Sequence, residues 1–319
     1  MHYLSVADIS DVNALVEDAL KLKAQGADRT LGAGKTLLLI FFNPSLRTRL
    51  STEKAGRMLG MDVITMNATD AWGWELEDGA VMNADKPEHI KDAARVVSTY
   101  ADIIGIRSFP TLKDREADYQ DRLIRTFAQH ATVPVISLES SVYHPCQSLA
   151  DLITMREHAS ASAKRPFKIA ATWAPHPKAL PQAVMNSFLT FATAAGHDVT
   201  LAHPPGYELA EQMTAGCTVT HDQEAALRDA DFVYVKNWSS YSDYGQVLSQ
   251  DSSWMIDAHK MALTNNAGLL HCLPVRRNVV IADDALDAER SLVIPQAGNR
   301  VTAAAAVLER MLRAAHEVH

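Results

Sequence analysis

The stretch from Thr36 to Arg49 constrains this chain more than any other, because an apolar run stops at a proline and restarts as a helix. Thr36 to Phe42 is continuously apolar, as a strand covered on both faces requires. Pro44 ends the run, and Leu50, Met58 and Leu59 then supply a helical apolar spacing before Gly60. The spacing predicts a helix opening at about Ser45 to Arg47, with unpaired backbone N–H groups and the positive end of the helix dipole in its first turn. Acidic side chains normally suit such a turn. Arg47 and Arg49 oppose the dipole unless an anion sits between them, and Ser45 and Thr48 add hydroxyl donors. The segment reads as a phosphate cradle; a surface helix with two solvated arginines is the ordinary alternative.

Strand and helix patterns alternate through the rest of the chain. Val63–Met66, a helix from Pro87 to Tyr100, Asp102–Ile106, a helical 115–130 and Val133–Leu138 form one series. His144 opens a helix to about His158, and the polar residues 159–166 are the natural linker. A second series follows: strand 167–173, helix 181–195, strand 198–203, a strand near Thr218, a helix near Gln223, strand 231–236 and a strand running into His271. This alternation predicts an α/β fold of two doubly wound parallel-sheet domains with an interdomain cleft, and ligand groups beyond the carboxyl ends of the strands. The expected division is 1–150 and 151–298, and a final helix within 299–319 has an apolar face that must dock. Arg107, Glu139 and His271 fall at strand ends.

Composition narrows the function. A net charge of −8 over 319 residues argues against a nucleic-acid surface, so a local arginine cluster serves a small anion. No apolar run reaches membrane-spanning length, and the start lacks a signal-peptide pattern, which implies no membrane and a cytoplasmic location. Cys146, Cys217 and Cys272 are too few and too scattered for a disulfide framework or a cysteine zinc site. Gly34-Lys35-Thr36 imitates the end of a nucleotide-binding loop, but Arg29 stands where its first glycine belongs and a strand follows instead of a helix. Leu37 likewise replaces the third glycine of a dinucleotide fingerprint.

Ser45-Leu46-Arg47-Thr48-Arg49, His144-Pro145-Cys146-Gln147, His271-Cys272-Leu273-Pro274 and Arg300 stand in the order found in the aspartate and ornithine carbamoyltransferases, and the chain resembles that family over most of its length. The resemblance implies a reaction of carbamoyl phosphate with an amine and needs neither metal nor cofactor. It implies phosphate contacts from Ser45, Leu46, Arg47 and the helix N-terminus, and carbonyl-oxygen contacts from Thr48, Arg107 and His144, the three catalytic assignments. Gln147, Cys272 and Leu273 would hold the carbamoyl amide, Arg300 would close the site, and the C-terminal helix within 299–319 would return to the first domain. Cys272 is read as a contact residue, since direct attack by the amine requires no thiol.

The acceptor follows from the branch resembled. The Ser-Met-Gly loop of the ornithine enzymes is replaced here by residues 237–246, whereas Trp173–Lys178 and Lys260–Asn266 resemble the acylornithine enzymes. Pro87 stands where the acetylornithine enzymes carry a glutamate, and Val280 where they carry a lysine; Asp85-Lys86-Pro87-Glu88-His89 resembles the N-succinylornithine branch. That branch implies Glu139, His176, Lys236, Leu273 and Arg276 as acceptor contacts, with Pro87 setting the acyl specificity. It also implies a homotrimer in which Trp72 reaches carbamoyl phosphate in a neighbouring subunit. Acetylornithine as acceptor, and a carbamoyl phosphate sensor without catalysis, are the alternatives; the acceptor-side cations weigh against the sensor.

Overall fold

The computed structural model, which describes residues 2–160 and 163–316, divides into two units, each with one large parallel sheet, and carries a short two-stranded parallel sheet besides. The first unit comprises residues 1–111, 116–146 and 300–319; the second comprises 112–115 and 147–299. Two residues of the expected linker, Ala161 and Ser162, lie outside the described residues, as do Glu317 to His319 of the expected C-terminal helix.

In chain order the elements are α1 (Val12–Gln25), β1 (Thr36–Phe41), α2 (Arg47–Met58), β2 (Asp62–Asn67), β3 (Trp74–Glu75), β4 (Glu88–His89), α3 (Ile90–Ser98), β5 (Ile103–Arg107), α4 (Arg115–Gln120), α5 (Arg122–His130), β6 (Val135–Glu139) and α6 (Pro145–His158). There follow β7 (Lys168–Trp173), α7 (Ala183–Ala194), β8 (Asp198–Ala202), α8 (Glu211–Thr214), β9 (Thr218–Thr220), α9 (Gln223–Leu227), β10 (Phe232–Lys236), α10 (Ala258–Met261), β11 (Gly268–Leu270), α11 (Asp283–Leu286) and α12 (Val293–His316). Among these helices none is long and apolar enough to cross a membrane.

The first sheet has the order β2-β1-β5-β6 and the second β11-β10-β7-β8-β9, every neighbouring pair parallel. Leu37 to Phe41 are all buried, as a strand covered on both faces by helices must be. Gly105 of β5 allows close packing, since a Cβ there would lie 2.8 Å from Leu39 Cδ2. Gly60 has φ +84°, and a Cβ would meet the Arg29 carbonyl oxygen at 1.9 Å, so only glycine can end α2. The last helix joins the first unit through residues 300–316: Ala303 to Leu308 are buried, and Arg310 pairs with Asp18 of α1 at 2.6 Å.

Three expected boundaries shift for local reasons. The helix expected from Pro87 starts at Ile90, because 88–89 pair with β3 and His89 Nδ1 then caps by accepting the Lys91 N–H. The helix expected over 115–130 breaks at Asp121, which has φ 52°. The last helix begins at Val293 instead of Asn299, since Pro295 lies in a first turn where its missing N–H costs nothing.

His197 joins α7 to β8 and is nearly buried, stacked 5.0 Å from Phe167 with Nδ1 accepting the Phe167 N–H. Burial, then Arg165 and Arg156, depress its pKa to about 4 from the ordinary 6.5. Below pH 6.5 the unfolded chain therefore binds a proton that the folded chain refuses, so this contribution to stability is lost as pH falls from 6.5 to about 4. His197→Asn, which keeps an acceptor, is expected to flatten the loss over that interval in urea titrations by roughly 2–3 kcal/mol. Equal pH slopes in the two proteins would contradict this.

Candidate active site

Both sheets reverse direction beside their first strand. In the first unit β1 lies between β2 and β5, and in the second β7 lies between β10 and β8. Connections leave such a point in opposite directions and open a crevice at the carboxyl ends of the strands. Ser45, Arg47, Thr48 and Arg107 lie at the first of these points, and His176 and Lys236 at the second.

In the first unit the β1–α2 junction stands beside the end of β5. A register shift at Ile106/Arg107 sets Arg107 opposite Glu139 of β6. The buried Arg107 donates from Nε and Nη2 to Glu139 Oε2 at 3.2 and 3.0 Å, and from Nη1 to the Asn43 and Pro44 carbonyls at 3.2 and 2.5 Å. Phe109 lies under its guanidinium at 4.1 Å. Glu139, expected at the acceptor, is thus the counter-charge that a buried guanidinium requires. Asn43 adds a further tie, its Oδ1 accepting the Phe109 N–H at 2.7 Å.

Thr48, His144 and Arg300 converge on the same junction and are all buried. Arg300 Nη2 donates to Thr48 Oγ1 and lies 3.4 Å from His144 Nε2. Burial, followed by Arg300 and Arg107, holds the His144 pKa well below the usual histidine range. The ring is therefore neutral and Nε2 accepts from Arg300, so the 3.6 Å approach of Glu139 Oε2 is not an ion pair. The N-cap of α2 is Leu46, which gives no side-chain bond, and the first turn carries no acid. Among the described residues, the side chains of Ser45 and Arg47 make no hydrogen bond or ion pair. Arg49 departs from the cradle reading: it bonds Asn67 Oδ1 and covers the Phe41 ring at 4.7 Å. One arginine, Arg47, remains to face an anion at this helix end.

In the second unit, His176 follows β7, Lys236 ends β10 and Arg276 follows β11, three adjacent strands. Arg276 Nε donates to His176 Nε2 at 3.0 Å, while His176 Nδ1 faces the Lys178 carbonyl at 2.9 Å. Burial and then the neighbouring Lys236 and Arg276 depress the His176 pKa, so a neutral ring bridges a cationic cluster. Cys272 is buried, and Leu273 has φ 56°, a left-handed conformation unusual for such a side chain. The Leu273 N–H is bonded to His271 Nδ1 at 2.9 Å.

Two supports escaped the reading of the sequence. Gln147 Nε2 donates to Asp151 Oδ1 at 2.7 Å, and Gln296 donates to the same oxygen at 2.6 Å while accepting the His271 N–H. The four-residue helical spacing of Gln147 and Asp151 was the available signal. Asp121, whose pKa burial raises, accepts from Ser140 and from the Ser141 N–H at 3.0 Å and so fixes the turn before His144. Its left-handed backbone gives no local sequence signal.

Trp72 and Pro87 are both exposed, Trp72 at 59%. Trp72 Nε1 donates to Glu88 Oε2 at 2.7 Å, which fastens the indole beside Pro87. Trp74 differs: it packs on Phe42 and Phe127 in the first unit.

Residues 1–157 match the description "Aspartate/ornithine carbamoyltransferase, carbamoyl-P binding domain", and residues 181–311 match the "Asp/Orn binding domain" of the same description. The chain is 46% identical over 314 residues to N-succinylornithine carbamoyltransferase of Bacteroides thetaiotaomicron, covering 97% of this chain and 98% of that one. It is 40% identical over 328 residues to N-acetylornithine carbamoyltransferase of Xylella fastidiosa, covering 96% and 97%. A solved N-acetyl-L-ornithine transcarbamylase, carrying a glutamate-to-proline mutation and complexed with carbamyl phosphate and N-succinyl-L-norvaline, superposes with a TM-score of 0.91 at 37% identity, covering 98% and 99%.

The Arg107–Glu139 pair is buried, so removing one partner strands the other. Glu139→Leu is expected to lower the unfolding free energy by roughly 3–5 kcal/mol, and Arg107→Met together with Glu139→Leu to recover part of that loss. A cost for Glu139→Leu below about 1 kcal/mol in urea denaturation, the value of an exposed pair, would contradict the assignment.

Proposed function

The chain belongs to the aspartate/ornithine carbamoyltransferase family, and on that premise we propose that it transfers the carbamoyl group of carbamoyl phosphate to the δ-amine of N-succinyl-L-ornithine, yielding N-succinyl-L-citrulline and phosphate in arginine biosynthesis. The observation that carries the donor half is the convergence of Thr48, Arg107, His144 and Arg300 on a helix N-terminus flanked by Ser45 and Arg47. Ser45, Arg47 and the Leu46 turn bind the phosphate; Thr48, Arg107 and His144 meet the carbonyl oxygen as it gains charge. Gln147, held by Asp151 through Nε2, contacts the carbamoyl amide together with Cys272 and Leu273. The amine nitrogen forms the new bond to carbon, the carbon–oxygen bond to phosphate breaks with its electron pair, and phosphate takes up the amine proton. A δ-amine has an ordinary pKa of about 10.4 and must shed one proton before attack.

The cationic cluster His176, Lys236 and Arg276 suits an acceptor with two carboxylates, as succinylornithine has. Glu139, an acceptor contact by the family resemblance, acts through Arg107, with which it is paired. Two findings support the succinyl reading. The Bacteroides relative is named for that substrate, and solved N-acetyl-L-ornithine transcarbamylases in which one glutamate is replaced by serine, alanine, proline or valine are complexed with N-succinyl-L-norvaline. Acetylornithine is the second reading, favoured by the Xylella relative. We further propose a cytoplasmic homotrimer in which Trp72, exposed and held by Glu88, completes a neighbour's site.

Pro87→Glu tests the acceptor. A glutamate beside the succinyl carboxylate costs several kcal/mol, so kcat/KM for succinylornithine is expected to fall roughly 100-fold or more while acetylornithine remains usable. An unchanged ratio of the two acceptors would remove Pro87 from the specificity. Mixing inactive Trp72→Ala and Arg47→Ala chains tests the shared site: hybrid trimers regain activity, because some of their sites contain neither lesion. Persistent inactivity after proven subunit exchange would contradict it.

A further inference from the structure

At the carboxyl end of the second sheet's outer edge, away from the residues assigned above, His203, Glu208 and His221 each present one ligand atom, and the three atoms lie within 4.8 Å of one another. We propose that these three side chains form a binding site for a divalent transition metal ion of the zinc type.

The scaffold is set by strand register. Ala202 of β8 stands opposite Thr220 of β9, and the next residue of each strand is a histidine. The His203 N–H donates to the Thr220 carbonyl at 3.2 Å, so the ladder continues to the ligands themselves. The two rings meet edge to face, 5.1 Å apart at 79°. Glu208 comes from the crossing after β8, where its Oε1 accepts the Gly206 N–H at 3.2 Å.

The tautomers favour a metal. His203 Nδ1 lies 2.9 Å from the Pro204 carbonyl oxygen, and His221 Nδ1 lies 2.8 Å from the His203 carbonyl oxygen. A carbonyl only accepts, so both Nδ1 atoms carry their protons and both Nε2 atoms keep a lone pair. Among the described residues, neither Nε2 makes a hydrogen bond. Fixing the ring through a backbone carbonyl at one nitrogen is the arrangement that orients a ligand histidine for a metal at the other.

Two neutral imidazoles and one carboxylate suit zinc, with water as a fourth ligand, better than the hard oxygen-seeking cations. Metal–ligand distances of about 2.0–2.2 Å place ligand atoms within such a separation of one another, and the exposed Glu208 can adjust to the ion. Binding would clamp the 203–208 crossing onto β9. The same crossing accepts the Trp238 indole N–H at the Tyr207 carbonyl, 2.8 Å away, and Trp238 lies two residues beyond Lys236. The metal is therefore structural or regulatory and takes no part in carbamoyl transfer.

The test uses the full chain, stripped of metal with a chelator and titrated with zinc chloride by calorimetry, alongside cobalt(II) absorption. One equivalent of zinc is expected to bind, with an intense tetrahedral cobalt spectrum. His221→Ala is expected to weaken zinc at least 30-fold and to abolish that spectrum, and Glu208→Gln to weaken it about tenfold; both positions are exposed, so folding persists. Equal affinity in wild type and His221→Ala would overturn the site, whatever other histidines bind. Absence of saturable binding in wild type would overturn it as well.

Discussion

A guanidinium taken out of water at the end of β5 must be neutralised where it stands, and Glu139 does this for Arg107. The pair positions more than itself. Once Glu139 fixes one edge of the guanidinium, the other edge donates to the carbonyls of Asn43 and Pro44 and so holds the turn between β1 and the start of α2 at Arg47. The free N–H groups of that helix thereby end up beside Thr48, His144 and Arg300. The grouping of the proposed catalytic residues in the first unit is in this sense tied to one buried charge and the hydrogen bonds that satisfy it.

Electrostatics then divides the work between the units. At the first, positive potential comes from a helix terminus without a side-chain cap and from Arg47, an arrangement that stabilises a dianion. At the second, Lys236 and Arg276 flank a neutral His176 and suit carboxylates. Each cluster lies where its sheet reverses strand order, so the same topological rule accounts for both proposed anion sites.

The strands were largely legible because each is a short apolar run bounded by turn residues, as Thr36–Phe41 and Phe232–Lys236 illustrate. Helix starts were less so: Pro295 looks like a boundary yet lies inside the first turn of α12. Arg107 could be placed at a strand end from the sequence, but its pairing with Glu139 depends on a register shift in β5 that apolar spacing does not encode. Arg49 shares a motif with Arg47 yet turns to Asn67, since consecutive odd positions of a helix do not share a face. The grouping of His203 with His221 needed the β8–β9 register, which no local pattern supplies.

The central claim is that two anion-binding clusters, one on each unit, serve carbamoyl transfer to a dicarboxylate amine. Its most direct measurement is the steady-state rate of citrulline-type product formation from carbamoyl phosphate with ornithine, N-acetylornithine and N-succinylornithine in parallel. Succinylornithine is expected to give kcat/KM at least tenfold above either competitor. A preference for acetylornithine would contradict the acceptor assignment, and calorimetric binding of carbamoyl phosphate without turnover of any acceptor would contradict catalysis itself.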